Sequence, residues 1–351
     1  MLQKFYELFR NDIGIDLGTA NTLIYLKGHG IVVNEPSIVA LNQKTGQLVA
    51  IGNDAKQMVG RTPGHIAIAR PLVDGVISNF EVTEEMLAYF LRKVNKLEAR
   101  KFLRPRVVIG VPSGITNVEI RAVRDAARSA GAGEIHIIEE PMAAAIGIRL
   151  PITEPVGTMV VDIGGGTTDV AVISLGGVVQ SRNVRIAGDK LNQDIIAYIR
   201  DEFKILLGEK TAEEVKIAIG AVTPQSEPLE AAIRGRDLVT GLPKEVIITD
   251  ADIKEAITPA ISHLVEAIKE VLETTPPEVV ADIMHKGIVF VGGGSLLQGL
   301  TELMETELKI PVFIAPDPLT AVVRGTGLIL ENLIKYKDIL ITDEHHLPPA
   351  E

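Results

Sequence analysis

Apolar positions along the chain follow two rhythms. Short apolar runs, among them DIGIDL at 12–17, TLIYL at 22–26, RVVIGV at 106–111, VVDI at 160–163 and GIVFV at 287–291, have the length and β-branched content of strands. Elsewhere the apolar residues fall three and four apart. Met86, Leu87, Phe90, Leu91 and Val94 predict a helix over 83–97. Thr116 and Glu119 form a capping box for a helix over 116–130, which Gly131 stops. Leu191, Ile195, Ile196, Ile199 and Phe203 predict a helix over 189–207, and Thr211 with Glu214 predict the cap of another, stopped by Gly220. The apolar stripe of 250–273 predicts a long helix that Pro259 should kink or split. Helices over 296–308 and up to about 334 close the pattern, and the tail from 343 is polar.

The element order occurs twice. In each half a pair of strands around a glycine turn is followed by a third strand, helices and further strands. EEPMAAAIG at 139–147 and PDPLTAVVRG at 316–325 stand at matching places, each opening a small-residue helix after the last strand of its half. A duplicated α/β chain is the reading this supports, with the two helices packed closely enough to act as a hinge. The expected halves are 1–150, with an inserted subdomain at about 34–75, and 151–317, with one at about 184–248. A C-terminal helix over 318–340 is expected to return to the first half.

Composition narrows the chemistry. A length of 351 residues and 46% hydrophobic content suit two globular domains. The net charge of −11 argues against a general nucleic-acid surface. With no cysteine there is no disulfide, thiolate zinc site, iron–sulfur cluster or cysteine nucleophile. No apolar run approaches the ~20 residues of a membrane span, and Glu7 and Arg10 interrupt any signal-peptide core.

The candidate chemistry lies in two glycine turns. VVDIGGGTTDV at 160–170 places Asp162 at a strand end, then Gly164, Gly165 and Gly166, then Thr167 and Thr168. Glycines let backbone N–H groups approach a polyphosphate without a Cβ in the way, and a rim carboxylate can hold the water shell of Mg²⁺. An ordinary glycine hairpin is the plainer reading of one copy alone. DIGIDLGTANT at 12–22 repeats the plan with Asp16, Gly18, Thr19, Ala20, Asn21 and Thr22, which points to two facing halves clamping one nucleotide.

The paired turns, the crossing helices and the segments NEPSIVA, GRTPG, RPLVDGVI, TAEEVK and VGGGSLL resemble the actin-like ATPase superfamily and, within it, the MreB group of bacterial cell-shape proteins. The resemblance covers residues 11–335. It implies a two-domain actin-like fold (a duplicated ribonuclease-H-like core), ATP and Mg²⁺ as ligands, weak ATPase activity, and membrane-associated filaments that organise cell-wall synthesis and maintain rod shape. It implies partners as well: further copies of the chain, the anionic inner face of the cell membrane and membrane proteins of the elongation machinery. Asp16 and Asp162 would hold Mg²⁺ through water, Gly18 to Asn21 would wrap the β-phosphate side, and Gly164 to Thr168 the γ-phosphate side. Glu140, with Thr167, would orient the attacking water. Glu213 and Lys216 would edge the adenosine pocket, and Gly292, Gly293, Gly294 and Ser295 would line its other wall. Asp169 departs from the pattern, since many members carry Glu there, and Leu191-Asn192 replaces a more usual Met-Asp.

Two short segments suit a lipid surface. Leu2, Phe5, Tyr6 and Phe9 share a helical stripe, and Phe102 and Leu103 sit among Arg100, Lys101, Arg104 and Arg106. A helix docked on its own domain and an inward-packed turn are the plainer alternatives; two weak anchors acting together favour Phe5, Phe9, Phe102 and Leu103 as a membrane face. The competing functional reading is a sugar or acid kinase on the same fold, for which the chain offers no extra substrate segment. A heat-shock chaperone would need a peptide-binding domain.

Overall fold

The computed structural model describes residues 9–97, 103–224 and 227–341. β1 (Arg10–Leu17), β2 (Asn21–Leu26) and β3 (Gly30–Pro36) make an antiparallel meander. The chain then leaves this sheet for β4 (Val39–Asn42), β5 (Leu48–Ile51), α1 (Asn53–Met58) and β6 (Ile66–Ala69), a small unit with a minor core at Ile38, Ala40 and Ala55. A short ribbon, β7 (Leu72–Val73) and β8 (Val76–Ile77), leads to α2 (Phe80–Asn95). α2 starts earlier than its apolar stripe because Asn79 caps it, accepting from the Val82 N–H. β9 (Leu103–Val111), α3 (Asn117–Ser129) and β10 (Glu134–Glu139) complete a sheet ordered β10-β9-β1-β2-β3, followed by α4 (Glu140–Gly147). The predicted Thr116–Glu119 capping box is present at α3.

The second half begins with the meander β11 (Thr158–Ile163), β12 (Thr168–Ser174) and β13 (Gly177–Val184), then α5 (Gly188–Phe203). β14 (Ile205–Leu206), α6 (Glu209–Ile219), β15 (Glu230–Asp237) and β16 (Pro243–Thr249) form an outlying unit. α7 (Asp250–Thr274), α8 (Pro277–Lys286), β17 (Ile288–Val291), α9 (Leu300–Leu308), β18 (Val312–Ile314) and α10 (Ala321–Glu331) follow. The sheet order is β13-β12-β11-β17-β18. Read from its meander edge, the first sheet is β3-β2-β1-β9-β10, the same arrangement with the same parallel and antiparallel pairings.

Several boundaries differ from the sequence pattern for local reasons. α7 runs unbroken through Pro259, and the Thr258 hydroxyl donates to the Lys254 carbonyl one turn back. α6 begins at Glu209 behind Gly208 with no side-chain cap, so Thr211 lies inside the helix instead of capping it. α5 stops at Phe203 because Lys204 is left-handed (φ 56°), and the next two residues pair with β15. The helix predicted over 296–308 is a 3₁₀ turn and then α9, separated by left-handed Gly299.

α4 and α10 cross where the two halves meet, and α10 also lies on β1, β2 and β9. Their backbones nearly touch. A Cβ at Gly147 would run into the Ala321 carbonyl oxygen, and one at Gly325 into the Ala143 carbonyl oxygen. Small residues at this crossing are therefore a steric requirement. Among the described residues no helix is long and apolar enough to cross a membrane.

Candidate functional site

The two meanders point their glycine turns at each other. In each, an aspartate stands two residues before the first turn glycine, Asp16 before Gly18 and Asp162 before Gly164. The turns meet: a Cβ built at Gly165 would lie 2.5 Å from the Ala20 Cβ, and one at Gly166 would lie 2.6 Å from the Thr19 Oγ1. Thr19 Oγ1 also accepts from the Gly75 N–H at 2.9 Å, tying the first turn to the segment beside the small unit. The second turn is closed by Gly164 N–H to the Thr167 carbonyl, and its own carbonyls receive the first N–H groups of α5 at Gly188 and Asp189.

Between the turns lies a cavity of about 480 Å³, within the range of small-ligand sites. Asp16, Gly18, Thr19, Ala20, Asn21, Glu140, Asp162, Gly164, Gly165, Gly166, Thr167, Glu213, Lys216, Gly292, Gly293 and Gly294 all line it. The structure thus brings together residues spread over nearly 280 positions of chain. Thr168 and Ser295 do not line it. The Thr168 hydroxyl donates to the Ile186 carbonyl at 2.5 Å, and the Ser295 hydroxyl to the Gly292 carbonyl at 2.7 Å. Both side chains are fully buried and hold the walls in shape.

Six carboxylates line this space, Asp16, Glu140, Asp162, Asp169, Asp189 and Glu213, and Glu140 feels the charges of Asp16, Asp162 and Asp169. Burial pushes Asp16 up to about 7, and burial with the Asp16 charge does the same to Asp162. Glu140 is held well above the usual carboxylate range, first by its screening from water and then by Asp16, Asp169 and Asp162. Asp169 is also raised to about 7 by burial, against the opposing hydrogen bonds of Asn183 and Ser113. Facing them, Lys216 donates to the Gly188 carbonyl at 2.9 Å and is lowered by burial. A site so rich in acid favours a cation. Among the described residues no group of three or more His, Asp or Glu side chains is placed to hold an ion directly. The glycine turns supply the N–H surface that an accompanying polyphosphate needs.

Sequence reasoning did not single out Gly75, Gly188, Asp189 and Gln298, which also line the cavity. Gly188 carries a readable signal, a glycine just ahead of a periodic helix; the others are brought in only by the tertiary fold. Of the four lipid-facing candidates, Phe5 and Phe102 lie outside the described residues. Phe9 is half-buried next to β1, Leu103 is exposed, and Arg10 pairs with Leu103 in the β1–β9 register. Arg10, next to Phe9, therefore lies beside Leu103 at one end of the first sheet.

A family model described as MreB/Mbl protein matches residues 10–338. The cell shape-determining protein Mbl of Bacillus subtilis is 49% identical over 328 residues, covering 93% of this chain and 98% of that protein. The cell shape-determining protein MreB of Escherichia coli is 50% identical over 350 residues, covering 98% of this chain and all of that protein. The crystal structures of MreB5 of Spiroplasma citri, bound to ADP and to AMPPNP, are 40% identical, with a TM-score of 0.88, 94% of this chain and 98% of that one covered. The fold is the α/β actin-like fold. The Mbl and MreB relatives are named as cell shape-determining proteins, and the kinase reading is not favoured.

Proposed function

The chain belongs to the MreB/Mbl family, and from that premise we propose that it is a nucleotide-dependent cytoskeletal protein that binds ATP between its halves, hydrolyses it slowly, and forms membrane-associated filaments that determine cell shape. The observation that carries this is the pair of acid-tipped glycine turns in contact across one cavity. The related MreB5 has been solved with ADP and with AMPPNP, which supports an adenine nucleotide as the ligand here.

In this reading, Gly18 to Asn21 and Gly164 to Thr167 grip the phosphates from opposite sides. Asp16 and Asp162 hold the water shell of the metal, and Glu213 and Lys216 edge the nucleoside. When bound, Mg²⁺ would neutralise charge on the β- and γ-phosphates. Glu140, at the start of α4 and with its carboxyl held above the usual range by burial, would in its ionised form take or orient the proton of the attacking water, with Thr167 on the other half lining the same cavity. Phosphoryl transfer to water needs such positioning more than covalent chemistry. Bound nucleotide would bias the angle between the halves about the α4–α10 crossing and so bias head-to-tail assembly. The exposed units around 34–75 and 210–250 are the proposed subunit contacts.

Phosphate release from Mg·ATP by the purified protein tests this, together with electron microscopy on an anionic lipid monolayer. Filaments with slow release, lowered roughly 100-fold or more by Glu140→Ala, are expected. Sugar-stimulated ADP formation without filaments would overturn it.

A further inference from the structure

Asp169 lies on β12 directly opposite Asp162 in the β11–β12 pairing, and its carboxylate faces the cavity. It is only 1% exposed, yet both oxygens have partners. Oδ2 accepts from Asn183 Nδ2 at 3.0 Å, within the same sheet. Oδ1 accepts from the Ser113 N–H at 2.8 Å, and Ser113 belongs to the other half, in the turn between β9 and α3. Ser113 continues the chain of contacts, since its hydroxyl donates to Glu139 Oε2 at 3.3 Å. Glu139 immediately precedes Glu140 and holds the N-cap position of α4. One buried carboxylate therefore joins the second-half hairpin to the first-half segment that carries Glu140. Burial removes the water that would compete for these bonds.

We propose that Asp169 is a positioning residue for hydrolysis: by clasping Ser113 across the cleft it sets the distance between Glu140 on one half and Thr167 on the other. This deepens the function proposed above and rests on it. Other ties between the halves in this region are ion pairs at the rim between partly exposed side chains: Lys56 to Glu213, Arg185 to Asp74 and Arg70 to Asp189 at 3.6 to 3.7 Å, and Arg70 to Glu209 at 2.5 Å. Such exposed pairs each contribute little. The Asp169 contact is short, buried and next to the reacting geometry.

Steady-state hydrolysis and equilibrium ATP binding on the full chain test the clasp. Asp169→Ala should lower kcat by roughly 10–100-fold, the scale of a 1 Å misplacement, with KM and ATP affinity altered less than about 3-fold. Asp169→Asn, which keeps the shape and one acceptor, should fall between. Ser113→Ala keeps the backbone N–H but loses the link to Glu139; it should cost less than Asp169→Ala and add little on top of it. Wild-type kcat in both Asp169 variants overturns the clasp and leaves ATP hydrolysis standing. Loss confined to affinity also overturns it, because Asp169 is then a binding residue. Absence of ATP turnover in the wild-type chain overturns the proposed function and the clasp with it. Thermal melts report folding, and if Asp169→Ala fails to fold, the near-isosteric Asp169→Asn decides.

Discussion

Asp16, Asp162 and Asp169 have side chains that burial raises to about 7, far above the ~3.9 of an unfolded aspartate. The folded state therefore binds more protons than the unfolded one between about pH 4 and pH 7, so without nucleotide the stability contribution is present at low pH and is lost as pH rises through 7. The melting temperature should fall by roughly 5 °C or more between pH 5 and pH 8. Asp162→Asn should flatten that fall and raise the pH 8 value while weakening Mg·ATP binding, as scanning fluorimetry with and without nucleotide will show. An unchanged slope would mean the acids are not strained by their burial. At this scale the turn residues were legible because Asp-Leu-Gly and Asp-Ile-Gly repeat a local pattern. Gln298 was not: it lies between the 3₁₀ turn and α9 and reaches the cavity wall through a bridge to Ala221, a pairing distant in sequence.

Among the elements, the crossing of α4 and α10 makes the sharpest demand on residue type. Gly147 and Gly325 each face a backbone carbonyl of the partner helix, with no flexible side chain to yield. Gly325→Ala should cost about 3 kcal/mol or more, the upper range for overpacking, read as a shift in the urea midpoint; a cost under about 1 kcal/mol would mean the helices separate easily. The small-residue match of 139–147 and 316–325 made this crossing readable in the sequence. The start of α6 and the break before α9 were less readable. Thr211 and Glu214 mimic a cap, but Glu209 already extends the helix, and its carboxylate accepts from Arg70 at 2.5 Å across the cleft. Gly299 breaks α9 through a left-handed backbone (φ 76°), and a glycine in sequence does not announce its dihedral.

For the whole molecule, the two sheets share one strand order, and the chain is a repeated unit closed on itself around a cavity. The cross-cleft pairs Lys56 to Glu213, Arg70 to Asp189 and Arg185 to Asp74 are partly exposed, so each contributes at most about 1 kcal/mol. They leave the halves free to change angle when a ligand binds. The duplication was legible from element order; the contact between the turns needed three dimensions. One end of the first sheet also carries Phe9 beside Arg10, which pairs with exposed Leu103. Changing Phe5, Phe9, Phe102 and Leu103 together to Ser should abolish flotation with anionic liposomes while ATP binding persists, and unchanged flotation would remove the proposed lipid face.

The most direct measurement is an experimental structure of the protein with Mg²⁺ and a non-hydrolysable ATP analogue. The expected result is a triphosphate held between Gly18–Asn21 and Gly164–Thr167, with Asp16 and Asp162 beside the metal's waters. An analogue seated elsewhere, or gripped by one half with the turns apart, would contradict the account.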